Sequence, residues 1–342
     1  MTRRQARPAM GLAALFWLAA CCGCGKYADF RLPPVWNGNS LASFSFEPEA
    51  APVLSPGDGW DSSDVLNPSV IAKNTGPDRF LNLYSGYDGR TWRTGLATSE
   101  DGIHWRKAGM VLQPDPRTWE GPYIAANGSA LFDGDQFWYW YQAGPDGRPR
   151  IGLARSRDAR VWHKEPAPVL ETGPRGAWDE IAVADPDVLH IGTWFYLYYL
   201  GQDRAARQQI GVARSKDGVH WEKLRSNPIL ELGPYGAFDE RGLGEPAVWA
   251  ARGFYWMLYT GRDVSEQRRL GLARSTDGVH WRKQAPVFNG SAAWDSKVIC
   301  DPSVLVDGGT IRAWFGGGDV ASPDQNLHGQ IGVANLRATL AK

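Results

Sequence analysis

The sequence predicts an all-β fold, a five-bladed β-propeller of four-stranded blades, and three observations carry that expectation. The segment GLARSRDARVWHK (152–164) recurs as GVARSKDGVHWEK (211–223) and GLARSTDGVHWRK (271–283), with an earlier copy, GLATSEDGIHWRK (95–107), and a truncated last one, IGVANLRATLA (331–341). An aromatic residue followed by an acid precedes each copy: Trp60-Asp61, Trp119-Glu120, Trp178-Asp179, Phe238-Asp239 and Trp294-Asp295, at spacings of 59, 59, 60 and 56 residues. Between these markers the apolar runs have the length and alternation of strands, and four-stranded units repeating at a fixed period stack radially into propellers.

The third repeat shows the elements in order. VADPDVLHI, TWFYLYYLG and QIGVARS read as its first three strands, and HWEKLRSNPIL follows an Asp-Gly turn as the fourth. In the recurring Ser-x-Asp-Gly-x-His-Trp run the Asp and Gly shape the turn and the Trp packs between sheets, so His104, His220 and His280 are structural. The marker acids recur as well and are expected to hold loops. The fifth repeat stops before its fourth strand. Phe46 to Trp60 parallels Trp105 to Trp119, both 14 residues apart, so residues ~41–55 are expected to complete the last blade and close the ring without free sheet edges. The domain then runs over 41–342, and 21–40, with Pro33 and Pro34, is expected to be a tether.

Residues 1–20 read as an export signal. Arg3, Arg4 and Arg7 precede the apolar run GLAALFWLAA, which is too short to span a bilayer. The run ends in Leu18-Ala19-Ala20-Cys21, which resembles the bacterial lipoprotein box and implies acylation of Cys21. Cys22 in the next position, where Asp would signal retention, implies an outer-membrane address in the cell envelope. Membrane contact is then through the lipid anchor alone. Of the four cysteines only Cys300 belongs to the domain, so neither a disulfide framework nor a cysteine metal site is expected there. Lys+Arg and Asp+Glu both number 37, and this zero net charge argues against nucleic acid as a partner. A hydrophobic share of 43% excludes a wholly disordered chain, and a monomer is expected.

A repeat protein is its own control: a residue that changes where its neighbours in other repeats are fixed is a candidate for function. Seven residues after each marker (eight in the second repeat) the first strand is expected to start, beside the central channel, with Asn67, Asn127, Asp185, Glu245 and Asp301. Their polarity persists while their identity changes. Carboxylates gathered in a partly desolvated channel can have their pKa values driven apart, as cleavage of a glycosidic bond requires. Tyr87, Trp92, Arg204 and Arg262, in or near the loops after the second strands, vary between repeats and are candidate sugar contacts. The Asp that recurs in those loops is read as structural.

The five repeats, the Asn67-Pro68-Ser69-Val70, Asp185-Pro186-Asp187-Val188 and Glu245-Pro246-Ala247-Val248 strands and the Ser-x-Asp-Gly-x-His-Trp turns resemble the five-bladed propeller glycoside hydrolases of families 43 and 32, over residues ~41–342. The resemblance implies that Glu245 is the general acid and Asp185 the residue that tunes its pKa. It also places the general base at position 67. That position holds Asn67, and an amide cannot take a proton from water. Asp64, which has no acidic counterpart in the other repeats, and Asp301 are the spare carboxylates. His328 is the candidate that the resemblance implies beside a channel ion, calcium, although no cofactor is required.

Two readings follow. The Asp185/Glu245 pair favours a glycoside hydrolase that acts on a poly- or oligosaccharide by general acid catalysis. Asn67 favours a catalytically inactive carbohydrate-binding propeller lipoprotein.

Overall fold

The computed structural model describes residues 26–36, 42–73 and 78–340, and the expected leader with Cys21 lies outside the described residues. Among these residues there are strands, turns and loops, and no helix able to cross a membrane. The chain begins with β1 (Tyr27–Ala28) and β2 (Ala42–Pro48). The first antiparallel unit follows: β3 (Asp64–Ala72), β4 (Phe80–Tyr87), β5 (Trp92–Ser99) and β6 (Arg106–Leu112). The second is β7 (Ile124–Asp133), β8 (Gln136–Gly144), β9 (Arg150–Ser156) and β10 (His163–Lys164). The third is β11 (Ala182–Ile191), β12 (Trp194–Gln202), β13 (Gln208–Ser215) and β14 (Glu222–Leu224). The fourth is β15 (Gly242–Ala251), β16 (Phe254–Arg262), β17 (Arg268–Ser275) and β18 (Trp281–Phe288). The fifth is β19 (Val298–Asp307), β20 (Thr310–Gly318) and β21 (Gln330–Leu340), with β2 laid along β21 so that Phe46 faces Leu336.

Burial explains which runs became which strand. The second strands are nearly all buried (β4 throughout, β12 and β16 except at their ends), because these Tyr-, Trp- and Leu-rich runs are covered on both faces. The outer fourth strands are partly exposed, as in β6. Apolar layers lie between successive units, for example Tyr198 and Val212 with Val248 and Met257 between the third and fourth. A layer of the same kind joins Trp314, Ile331 and Val333 of the fifth unit to Val65, Val70 and Tyr84 of the first. Each such large side chain contributes about 1.5–3 kcal/mol on burial.

The repeated motifs hold each unit and lock it to the next. The marker acid accepts a hydrogen bond from a second-strand tyrosine and pairs with a fourth-strand lysine. In the third unit Tyr199 Oη donates to Asp179 at 3.1 Å and Lys223 Nζ lies 2.5 Å from it. The first, second and fourth units repeat this with Asp61, Glu120 and Asp239. Pro48 stands at the lysine's place in the fifth. Asp295 there accepts from Ala292 N instead, and burial raises its pKa. The marker aromatic lies on a second-strand glycine: a Cβ on Gly201 would fall 2.2 Å from Trp178. In the Asp-Gly turn, Asp217 accepts from Val219 N and His220 N while His220 Nδ1 lies 2.7 Å from its other oxygen, so this histidine serves the turn. The turn's Gly218 carbonyl accepts from Trp221 of its own unit and from Trp140 of the preceding one.

The segment expected to be a tether is partly docked. β1 pairs in parallel with β14, Phe30 and Leu32 are buried in the apolar layer of the third and fourth units, and Leu32 N donates to Asp277 O. Apolar Phe30 and Leu32 gain more from that layer than a solvated linker would allow.

Lys223 and Asp179 are both buried, with side chains 7% and 2% exposed. Removing one partner strands the other's charge, so Lys223→Ala is expected to lose about 3 kcal/mol of stability in guanidinium unfolding. Arg225→Ala, which removes the exposed pair with Asp29, is expected to leave the midpoint unchanged.

Candidate active site

The five polar residues of the inner strands do not start those strands, as expected from sequence; each is the fourth residue of its strand. There every inner strand slips register, between Leu66 and Ser69, Ala126 and Ser129, Ala184 and Asp187, Gly244 and Ala247, and Cys300 and Ser303. Asn67, Asn127, Asp185, Glu245 and Asp301 occupy the bulges with φ of 46, 47, 48, 51 and 51°. A bulge takes a residue out of the ladder and re-aims its side chain. Asn and Asp tolerate the left-handed region best, and Glu245 there is the least expected of the five.

All five line one cavity of about 170 Å³. That is below the ~300 Å³ of common small-molecule sites, so the floor takes a small polar unit and a longer ligand must extend outward. Two groups of contacts link them around the floor. Asn67 N donates to Asp301 Oδ2 at 3.3 Å, and Asp301 N donates to Glu245 Oε2 at 3.0 Å and to Thr260 Oγ1 at 3.2 Å. Asn127 takes a hydrogen bond from Ser85 Oγ and bonds the Asp185 carboxyl.

Burial, and then the nearby Glu245 charge, push both Asp185 and Asp301 well above the usual carboxylate range. Asp301 also receives Cys300 Sγ at 3.1 Å. Buried Arg268 stays firmly cationic: burial opposes its charge, but Cys300, Glu245, Asp301 and Asp324 outweigh that. The floor therefore combines a buried guanidinium with two carboxyls, Asp185 and Asp301, whose pKa values are pushed upward. Such a group can protonate a leaving oxygen.

Asp64 is not part of this floor. Fully buried, it accepts from Asn326 N at 2.6 Å, Leu327 N at 3.0 Å and Gly329 N at 2.7 Å, so its oxygens are committed to the loop before β21 and cannot reach over the channel as a base. His328 is exposed, pairs with Asp319 at 2.7 Å and lies outside the cavity lining, as does Arg204, which pairs with Glu180. Trp92 lines the cavity; Tyr87 stacks behind it at 4.6 Å between ring centroids. Arg262 lines it too, donating to Gln208 Oε1 at 2.9 Å. Of the recurring loop aspartates, Asp88, Asp203 and Asp263 cap backbone amides of their loops.

Arg268, Gln208, Gln202, Tyr123 and Asp324 also line the cavity and were not among the sequence candidates. The first three held a usable signal: the last residue of the second strand and an early residue of the third pair off as Tyr87/Trp92, Gln202/Gln208 and Arg262/Arg268. Asp324 sits in a loop without a counterpart.

A channel calcium does not fit these residues. Calcium takes six to eight oxygen ligands. Among the described residues the closest potential ligand set is Glu245, Cys300 and Asp301, which includes a thiol and lies beside a buried guanidinium.

One position beyond each bulge proline or its equivalent, side chains tie unit to unit. Ser69 Oγ accepts from Ala130 N, Ser129 Oγ from Val188 N, Asp187 Oδ2 from Val248 N and Ser303 Oγ from Val70 N. Ala247 has nothing to offer at its turn in this series.

A propeller-like sheet array whose bulges gather acids and amides around one cavity defines a carbohydrate-acting, hydrolase-like fold. The model of the glycosyl hydrolases family 32 N-terminal domain matches residues 84–294 and 190–323, and the chain belongs to that family. An uncharacterised protein of Mycobacterium tuberculosis is 29% identical over 227 residues, 62% of this chain and 75% of that protein. Sucrose-6-phosphate hydrolase of Escherichia coli is 29% identical over 164 residues, which are 45% of this chain but only 33% of that enzyme. The crystal structure of a glycosyl hydrolase from Bacteroides ovatus superposes with a TM-score of 0.69 at 17% identity, covering 88% of this chain and 96% of that one, a likeness of fold.

Burial raises the pKa of Asp187 from 3.8 to about 7, and the hydrogen bond from Val248 N only partly opposes this. The folded state thus holds a proton that the unfolded chain releases, a contribution present below pH 3.8 and lost as pH rises to about 7. Relative to Asp187→Asn, the natural protein should lose up to about 1.4 kcal/mol per pH unit in that window, as urea midpoints at pH 5 and 7.5 would show.

Proposed function

We propose that the five units are the blades of a closed propeller, that β2 completes the last blade, and that the cavity on its axis is the active site of a glycoside hydrolase acting on a poly- or oligosaccharide. Supporting closure are the β2–β21 pairing, the apolar layer between the fifth and first units, and the Ser303–Val70 hydrogen bond across the same junction.

The observation that carries the function is the pairing of Glu245 with Asp185 on one cavity floor, close enough that Glu245 helps to raise the pKa of Asp185. The carboxyls act as a coupled set: in the form that carries a proton on Glu245 and the charge on a neighbouring aspartate, Glu245 protonates the leaving oxygen. Arg262, Arg268 and Gln208 hold sugar hydroxyls, and Trp92 offers an apolar wall. Assayed on pentosans, fructans and mannosides, Glu245→Gln should lower kcat at least 10²-fold with little change in KM, the cost of losing a general acid. Unchanged turnover would sink the mechanism.

Asn67 favours a second reading, a carbohydrate-binding propeller without turnover, because the base position holds an amide that accepts no proton. Calorimetric binding of a glycan that the protein never cleaves would select it.

The leader supports a further proposal, that Cys21 is lipidated and anchors the protein to the cell envelope. Cys21→Ser should move the protein from the membrane pellet to the soluble fraction.

A further inference from the structure

The N-terminal segment is fastened to one particular end of the sheets. Lys223 N donates to Lys26 O at 2.9 Å and Arg225 N to Ala28 O at 3.0 Å, which stitches β1 to the outer strand of the third unit. Phe30 and Leu32 then enter the apolar layer between the third and fourth units. Leu32 N donates to Asp277 O at 2.8 Å, and Tyr255 Oη donates to Pro33 O at 2.6 Å. A Cβ on Gly278 would fall 2.7 Å from Leu32, so the leucine sits directly on the Asp-Gly turn of the fourth unit.

That turn lies at the end of the unit away from the cavity. Arg262 and Arg268, which line the cavity, are the last residue of β16 and the first of β17. Tyr255 and the turn after Ser275 stand at the opposite ends of those two strands. The eight residues of β17 separate the two ends by a rise of about 23 Å. Lys26 is at the far end as well. It shares a groove with Trp194 and Lys216, which flank the ends of β12 and β13 away from the cavity.

Exposed apolar side chains gather at the same end. Eight large ones are exposed among the described residues. Ile103 and Val161 stand in turns between third and fourth strands, and Phe132 and Val306 adjoin turns between first and second strands. Trp36, 79% exposed, follows Val35 of the docked segment. Tyr235 and Val264 are at the cavity end, and Met110 is on the outer strand β6. One exposed apolar residue is ordinary on a protein surface. Five of eight at the end where the chain from Cys21 arrives share a reason. Charge is not that reason, because basic groups there pair locally, as Arg79 with Asp307 and Arg31 with Asp277. Cys21 and Lys26 are five residues apart, a reach of at most ~18 Å.

We propose that the end of the sheets opposite the cavity is a membrane-facing surface. It rests on the lipidation of Cys21 proposed above. The docked segment and the short reach to the acyl chains hold this end against phospholipid, where Trp36, Ile103, Phe132, Val161 and Val306 enter the headgroup region. Trp is suited to that boundary, and buried apolar area adds to the hold of a lipid anchor. The cavity then opens away from its own bilayer. The ligand it fits is a glycan in the surrounding space, not a headgroup of the same leaflet.

The test uses the full chain, purified from membranes with its lipid and placed in vesicles of phosphatidylethanolamine and phosphatidylglycerol. A spin label goes on Val161→Cys or on Tyr235→Cys, each with Cys22→Ser and Cys24→Ser; Cys300 is buried and stays. On vesicles the label at position 161 should lose its collisions with an aqueous nickel chelate and gain collisions with oxygen. The label at position 235 should change in neither. Equal protection of the two labels, protection of 235 alone, or two labels that stay aqueous on vesicle-bound protein would each overturn the orientation. In those cases release of the protein by Cys21→Ser still keeps the lipid anchor. A Cys21→Ser protein that stays in the membrane pellet would remove the anchor, and this proposal with it.

Discussion

Five times the chain enters its inner strand, runs three residues in register and then turns left-handed at a residue that is not glycine. Each such turn costs of the order of 1 kcal/mol or more, least for Asn and Asp and most for Glu245. The sheets bear that cost because second strands buried on both faces hold the ladder on either side of the slip. The turn in return aims a polar side chain at the cavity in every unit. Cavity, floor contacts and shifted acids all depend on it. A straight inner strand would send these side chains into the apolar layers between units.

The chain has no net charge, yet five of its carboxyl groups line one small cavity with two arginines. That crowding is eased because burial and Glu245 push the pKa values of two of the acids, Asp185 and Asp301, upward, toward their uncharged forms. Arg268 offsets what remains. The surrounding units show the opposite solution: Asp179 keeps its charge partner Lys223 in a buried pair with Tyr199. Acids are thus used in two ways, paired with lysine where they hold a unit and set against one another where they line the cavity.

Much of the fold was legible because repetition averages out local ambiguity. Marker acids, Asp-Gly turns and the missing last strand each recur or fail to recur at a countable position, and the β2–β21 pairing lies where the 14-residue parallel placed the missing strand. The cavity residues were legible for the same reason: Asn67, Asn127, Asp185, Glu245 and Asp301 differ where their neighbours agree. What lacks a counterpart was read poorly. Asp64 looked like a spare base because it is unique, whereas its uniqueness serves the unique loop it anchors. His328, which the resemblance implied beside a channel ion, is a surface partner of Asp319. Phe30 and Leu32 lie in a Pro-rich stretch that reads as tether, and only the layer between the third and fourth units gives them a place.

By itself the sequence determined the periodic part of this protein: the number of repeats, their strands, the turn chemistry and the five polar positions that line the cavity. Those depend on short-range spacing, turn residues and alternation, which a linear chain displays directly. The tertiary structure alone decided which carboxylates are free. Whether an acid accepts three amides, shares a proton with a neighbour or meets water is set by residues more than 200 positions away, as Asp64 with Leu327 and Asn67 with Asp301 show. Hydrogen bonding and desolvation act through space, and no pattern along the chain records them.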